Sequence, residues 1–222
     1  LTLAIACGKP AAEQTQAPAQ PAAWTVIGPG GGGAQYLPTI NPQDPQNVYI
    51  RCDMTAAYST RDGGKTWHMY NLRTVVQDYE IDPSQPDVVY ASNTGLYRSE
   101  DKGLTWSLVF PAPSDITAER MVDDHAEQSF VTVSGLPGGR IGKVRVDPAD
   151  SQHLILGVSP SRRPGGAMEG DGPRVNILYS RDRGASWQSA AQVQGRGVLA
   201  IVPGVWDGKP GEITVITDSH AA

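Results

Sequence analysis

Residues 99–106 read SEDKGLTW, and the same pattern occurs twice more, as TRDGGKTW at 60–67 and SRDRGASW at 180–187. All three fit Ser/Thr-x-Asp-x-Gly-x-Thr/Ser-Trp. The aspartates, Asp62, Asp101 and Asp182, are placed to accept hydrogen bonds from backbone amides just ahead of them and so close an Asx-type turn. The glycines, Gly64, Gly103 and Gly184, supply the positive φ of a tight hairpin. Trp67, Trp106 and Trp187 then open a following strand, where each ring has a large area to bury between neighbouring sheets. These residues read as scaffold, not as catalytic groups.

A second phrase recurs upstream of each box: INPQDPQNVYI at 40–50, IDPSQPDVVYA at 81–91 and VDPADSQHLIL at 146–156. One unit is therefore a strand, an Asp/Asn-Pro turn, a strand, a short loop, a strand, the box turn, and a strand led by tryptophan. That is a four-stranded antiparallel sheet of about 40 residues, the size of one β-propeller blade. Composition agrees: the 222 residues include 25 glycines and 18 prolines with only 18% charged side chains, which suits short strands and tight turns. No stretch of a dozen residues has helical periodicity. The expected fold is all-β, a β-propeller of four-stranded antiparallel blades present as an incomplete N-terminal fragment of about four. The blades are expected at 24–70, 71–110, 111–190 and 191–222, the last without its box.

Residues 1–23 are different material. LTLAIAC resembles the end of a bacterial lipoprotein signal peptide, which implies lipidation of Cys7. The following GKPAAEQTQAPAQPAA is a linker too poor in large apolar side chains to pack. The expected location is the cell envelope or the extracellular space, with membrane contact only through a lipid on Cys7. Cys52 is the other cysteine, so lipidation of Cys7 leaves no intramolecular disulfide. A net charge of −5 without a basic block argues against nucleic acid. No internal segment reaches the roughly 18 apolar residues of a bilayer span. The Gly28–Gly33 run has no following helix or lysine to make it a phosphate loop, and no cofactor is expected.

The third unit carries two insertions, 111–139 before its first strand and 160–174 between its second and third strands. In an up-and-down blade both emerge on the face opposite the box turns, and enlarged loops on one face of a repeat scaffold mark a binding side. Asp53, directly after NVYIRC, falls on that same face. Within the insertions, Asp123, Asp124, His125 and Glu127 form an acidic loop. We expect no bound metal there and take His125 as a candidate sugar contact. Arg162, Arg163 and Arg174 are placed to meet an anionic group.

Boxes in blade-sized units resemble the BNR/Asp-box repeat proteins, which include sialidases, endo-xyloglucanases, sortilin-type receptor domains and a photosystem II assembly factor. The stretch VIGPGGGGAQYLPTINPQDPQNVYIRCDMTAAYSTRDGGKTW is similar, more narrowly, to the N-terminal blade of the endo-xyloglucanases. That resemblance implies that Asp53 is the catalytic base of an inverting glycosidase, with a second aspartate of a later propeller domain as the acid. Arg51 matches the family segment. Met54-Thr55-Ala56 stand where two glycines are usual, and Cys52 replaces a small hydroxyl residue. No Arg-Ile-Pro signature precedes the first blade, which lowers the sialidase reading. Candidate substrate contacts are Arg51, Tyr58, Arg73, Asp78, Tyr79 and His125, with Asp78 and Tyr79 expected to face the central channel. The resulting expectation is a polysaccharide-acting glycoside hydrolase. The alternatives are a non-catalytic binding or assembly propeller on the cell envelope, and a polysaccharide lyase.

Overall fold

Strand after strand pairs with its neighbour in sequence. The computed structural model describes residues 27–30, 33–122, 127–133, 135–136, 138–160, 173–204 and 213–218. The first sheet is β1 (Gln35–Ile40), β2 (Val48–Cys52), β3 (Ala56–Thr60) and β4 (His68–Asn71). The second is β5 (Asp78–Ile81), β6 (Val89–Ser92), β7 (Leu96–Ser99) and β8 (Ser107–Phe110). A separate hairpin of β9 (Ile116–Val122) and β10 (Glu127–Thr132) follows. The third sheet is β11 (Gly139–Asp147), β12 (Asp150–Pro160), β13 (Arg174–Ser180) and β14 (Gln188–Gln194). Last come β15 (Val198–Pro203) and β16 (Ile213–Thr217), paired antiparallel. Each four-stranded sheet keeps chain order, and β11 lies beside both β5 and β15, so first strands are inner strands around one axis. This is the up-and-down blade of a propeller. Among the described residues one 3-10 turn, Pro113–Asp115, is the sole helical element.

The core lies between blades. Alternate residues of a strand point to opposite faces, and a sandwiched strand buries both. In β6, Val89 and Ala91 join Tyr49, Ala57, Tyr70 and Tyr79 in the contact between the first two blades. Tyr90, between them in sequence, joins Leu96, Val144, Leu154 and Leu156 in the next contact. Ile155, Val175 and Ile177 then meet Val198 and Ile201 in the third. A fully buried Leu, Ile or Val contributes about 1.5–3 kcal/mol, so these layers hold the sheets in order.

The boxes fold as local turns. Asp62 Oδ1 accepts from Thr66 N at 2.9 Å, and Oδ2 accepts from the Thr66 hydroxyl at 2.6 Å. The second box repeats both bonds between Asp101 and Thr105, at 2.9 and 2.6 Å. In the third, Asp182 Oδ1 accepts from Ser186 N at 2.8 Å. The Thr66 hydroxyl and amide and the Thr60 hydroxyl hold the Asp62 carboxyl down at about 2. For Asp101, partial burial pushes upward but is outweighed by the Thr105 and Ser99 hydrogen bonds, leaving it also at about 2. Gly103 has φ +83°, and a Cβ there would stand 2.7 Å from a ring carbon of Tyr49 in the preceding blade. Two of the three box tryptophans bridge blades as well. Trp106 lies 5.0 Å from Tyr70 and Trp187 meets Phe110 edge-on at 5.6 Å, while the Trp67 indole N–H donates to the Ile27 carbonyl at 2.7 Å.

Between the second and third blades two inner-strand carboxylates reach across to β11. Asp78 accepts from Lys143 Nζ at 2.8 Å, Arg145 Nη1 at 2.8 Å and the Val144 amide at 3.2 Å. Glu80 accepts from Arg145 Nη1 at 3.3 Å and the Val146 amide at 3.2 Å. Burial pushes the Glu80 carboxyl up to about 7; Arg145 and the Val146 amide oppose this, and Asp78 adds to it. The folded state therefore holds this proton more tightly than the unfolded chain does. The associated stability is fully present below about pH 4.5 and is lost as pH rises through about 7. Glu80→Gln is expected to flatten that fall, on the order of 2–3 kcal/mol at most. Urea unfolding midpoints of both proteins between about pH 5.5 and 8 check it, because the stability held by Asp62 and Asp101 is lost only below about pH 5.

Candidate functional site

The β2–β3 and β6–β7 connections and the links between blades emerge on one face, and the box turns on the other. On the first face Asp53 opens the β2–β3 connection and is exposed. Its amide donates to the Ala34 carbonyl at 3.1 Å, which fixes the backbone at the top of the inner pair β1–β2. Its Oδ1 accepts from the Cys52 thiol at 3.0 Å, Cys52 itself being buried. Gly33, with φ +86°, lies so close that a Cβ there would stand 2.6 Å from Asp53 Oδ1 and 2.9 Å from Cys52 Sγ. The glycine-rich run thus ends as a backbone wall against this carboxylate. The corresponding connection of the second blade holds Asn93, fully buried, whose Nδ2 donates to the carbonyls of Leu72 and Thr74 at 3.1 and 3.2 Å. One connection is tied down as scaffold; the other presents a carboxylate to solvent.

Arg51 lies on β2, two residues before Asp53 in the chain. Its guanidinium lies 4.9 Å from the centre of the Tyr36 ring, a cation–π contact, and its buried Nε has no hydrogen-bond partner among the described residues. Tyr36, 46% exposed, pairs with Arg51 in register. Tyr58 pairs with Ile50 and Met69, which puts it on the sheet's other face, apart from Arg51.

Two candidates sit elsewhere than the open channel. Asp78 is buried in its cluster with Lys143 and Arg145. Tyr79 is buried against Tyr49, ring centres 5.5 Å apart, with its hydroxyl 2.8 Å from that of Tyr70. The physical reason is the same for both: adjacent residues of an inner strand point to the two neighbouring blades, whose surfaces close over them. His125 and Cys7 lie outside the described residues, as do Asp123, Asp124, Arg162 and Arg163. Among the described residues no three His, Cys, Asp or Glu side chains are placed to hold a metal ion.

Arg73 has a left-handed backbone, φ +63°, in the link after β4. It borders a cleft of about 370 Å³ between the first two blades, whose other walls include Tyr97, Trp106, Glu119 and Gln128. The 111–139 insertion, expected as a loop, forms the β9–β10 hairpin that closes one side of this cleft. The backbones of ITAERMV and EQSFVT pair antiparallel from Ile116↔Thr132 to Val122↔Glu127. Asn71, at the cleft wall, donates from Nδ2 to Thr55 Oγ1 at 3.3 Å, joining the cleft to the Asp53 connection. A smaller cavity of about 150 Å³ behind the hairpin, between Phe110, Phe130 and Leu136, has no ionisable group in its walls.

One family model and several known proteins are similar to this chain. The BNR/Asp-box repeat model matches residues 58–69. A xyloglucanase of a Paenibacillus species is 26% identical over 228 residues, an alignment covering 91% of this chain and 19% of that protein. An ancestral GH74 enzyme superposes with a TM-score of 0.54 at 20% identity, covering 81% of this chain and 21% of its own. YCF48 from Cyanidioschyzon merolae superposes with a TM-score of 0.47 at 15% identity, over 83% of this chain and 56% of its own. The chain spans about a fifth of the length of the curated relative.

Proposed function

We propose that this BNR/Asp-box propeller, which resembles the endo-xyloglucanases, is one part of a polysaccharide-cleaving hydrolase with Asp53 as its general base. The observation that carries the reading is the Asp53 carboxylate itself. It is exposed on the face opposite the box turns and held between the Gly33 backbone and the Cys52 thiol. The xyloglucanase relative supports a glycan substrate. In the proposed reaction Asp53 takes a proton from a water, and the water oxygen bonds to the anomeric carbon as the glycosidic C–O bond breaks. A second carboxylic acid outside the described residues gives its proton to the leaving oxygen. Arg51 and Tyr36, beside Asp53, are placed to contact the sugar. In this proposal a lipid on Cys7 keeps the enzyme at the cell envelope.

A binding propeller without catalysis is the second reading, and the DMTA connection in place of a glycine pair favours it. The protein in its full natural length, incubated with plant and algal polysaccharides, decides. New reducing ends without unsaturated uronate are expected. Both together would mean a lyase, and retention without either would mean the binding propeller.

A further inference from the structure

We propose that the cleft between the first two blades, closed by the β9–β10 hairpin, binds one pyranose ring of a neutral polysaccharide. This rests on the glycan reading of the Asp53 site and adds to it a second point of attachment, joined to it through Asn71 and Thr55.

The lining has sugar chemistry. Tyr97 and Trp106 offer aromatic surface, which suits the C–H faces of a pyranose, and Arg73, Glu119 and Gln128 offer donors and acceptors for its hydroxyls. One cation and one carboxylate balance, so the walls have no net charge to select an anion. The volume of about 370 Å³ admits one ring with room for water, not a folded peptide segment.

The cleft is also built in advance. The Gln128 amide donates to the Arg73 carbonyl at 3.0 Å, and its carbonyl accepts from the Thr94 hydroxyl at 2.6 Å and the Thr74 hydroxyl at 3.2 Å. These bonds bolt β10 to both sides of the link between blades. Arg73 is held left-handed by the Asn71 side chain, whose Oδ1 accepts from its amide at 2.6 Å. A rigid pocket spends little ordering entropy when a ring enters. Through Asn71 and Thr55 it adjoins the Asp53 connection, so a chain seated there passes toward the carboxylate.

The test is affinity electrophoresis of the full-length protein in gels cast with β-glucan, xyloglucan or galactomannan. Tyr97→Ala and Glu119→Gln are compared with wild type and Asp53→Asn, and thermal melting confirms that each is folded. Glu119 is exposed on the hairpin, so its isosteric change leaves packing intact. The expected result is strong retardation of wild type and Asp53→Asn, with both cleft variants binding roughly three- to tenfold more weakly and showing a raised KM. Equal retardation of wild type and cleft variants overturns the cleft while leaving the Asp53 reading intact. Selective loss in the cleft variants without cleavage by wild type supports the cleft and sinks the hydrolase. No retardation of wild type in any gel overturns the cleft proposal.

Discussion

Asp53→Asn is expected to lower polysaccharide turnover by about 100- to 10,000-fold, the span typical of a lost general base. The amide has the carboxylate's shape and keeps an oxygen for the Cys52 thiol, so the local fold survives; what it lacks is the ability to take a proton from water. The loss therefore belongs in kcat, with gel retention by the glycan unchanged. Gly33→Ala acts on the same group by position. Its methyl would stand 2.6 Å from Asp53 Oδ1, and the side-chain end is the softer partner, so the carboxylate swings away. A misplaced base costs roughly a hundredfold. Steady-state kinetics of both variants, with melting curves as the control for folding, check the pair. Full activity in Asp53→Asn would return this residue to the scaffold.

Asp78→Ala has the largest effect expected on stability, about 3 kcal/mol. Its side chain is 7% exposed and meets two cations and a backbone amide of β11. Truncation leaves Lys143 and Arg145, 20% and 26% exposed, beside each other without their shared anion, and orphans the Val144 amide. Their partial solvation keeps the cost at the low end of the range for broken buried pairs. Lys143→Ala is expected to cost about 1 kcal/mol, because Asp78 then keeps Arg145 and the amide. Urea unfolding midpoints give the order. Equal midpoints for the two variants would mean that the carboxylate does not hold the blades together.

The box turns were legible because each is a circuit of bonds within eight residues, such as Thr60 to Asp62 to Thr66. The repeat spacing then carried the blade, and with it the all-β propeller. Asp78 and Tyr79 were misplaced for the converse reason. An inner strand shows that its residues alternate, but whether a face meets water or the next blade depends on β11 and on Tyr49, far away in sequence. The β9–β10 hairpin was not legible because ITAERMV and EQSFVT lack a strict apolar–polar alternation and residues 117–121 stay exposed. Blade geometry put Asp53 on the loop-bearing face, and its role as a base came from resemblance alone. The Cys52 thiol and the Gly33 backbone that hold it come from pairing β1 with β2. Tyr97, Glu119 and Gln128 escaped notice because a cleft assembled from separate strands leaves no local pattern.

The most direct test is a proton NMR time course of the full-length protein acting on a neutral polysaccharide, following the anomeric signal of the first product. A base at Asp53 that activates water predicts new reducing ends that first appear with the inverted anomeric configuration. Products that first appear with retained configuration would mean a covalent nucleophile in place of a base, and an unchanged spectrum would mean that this face binds glycan without cutting it.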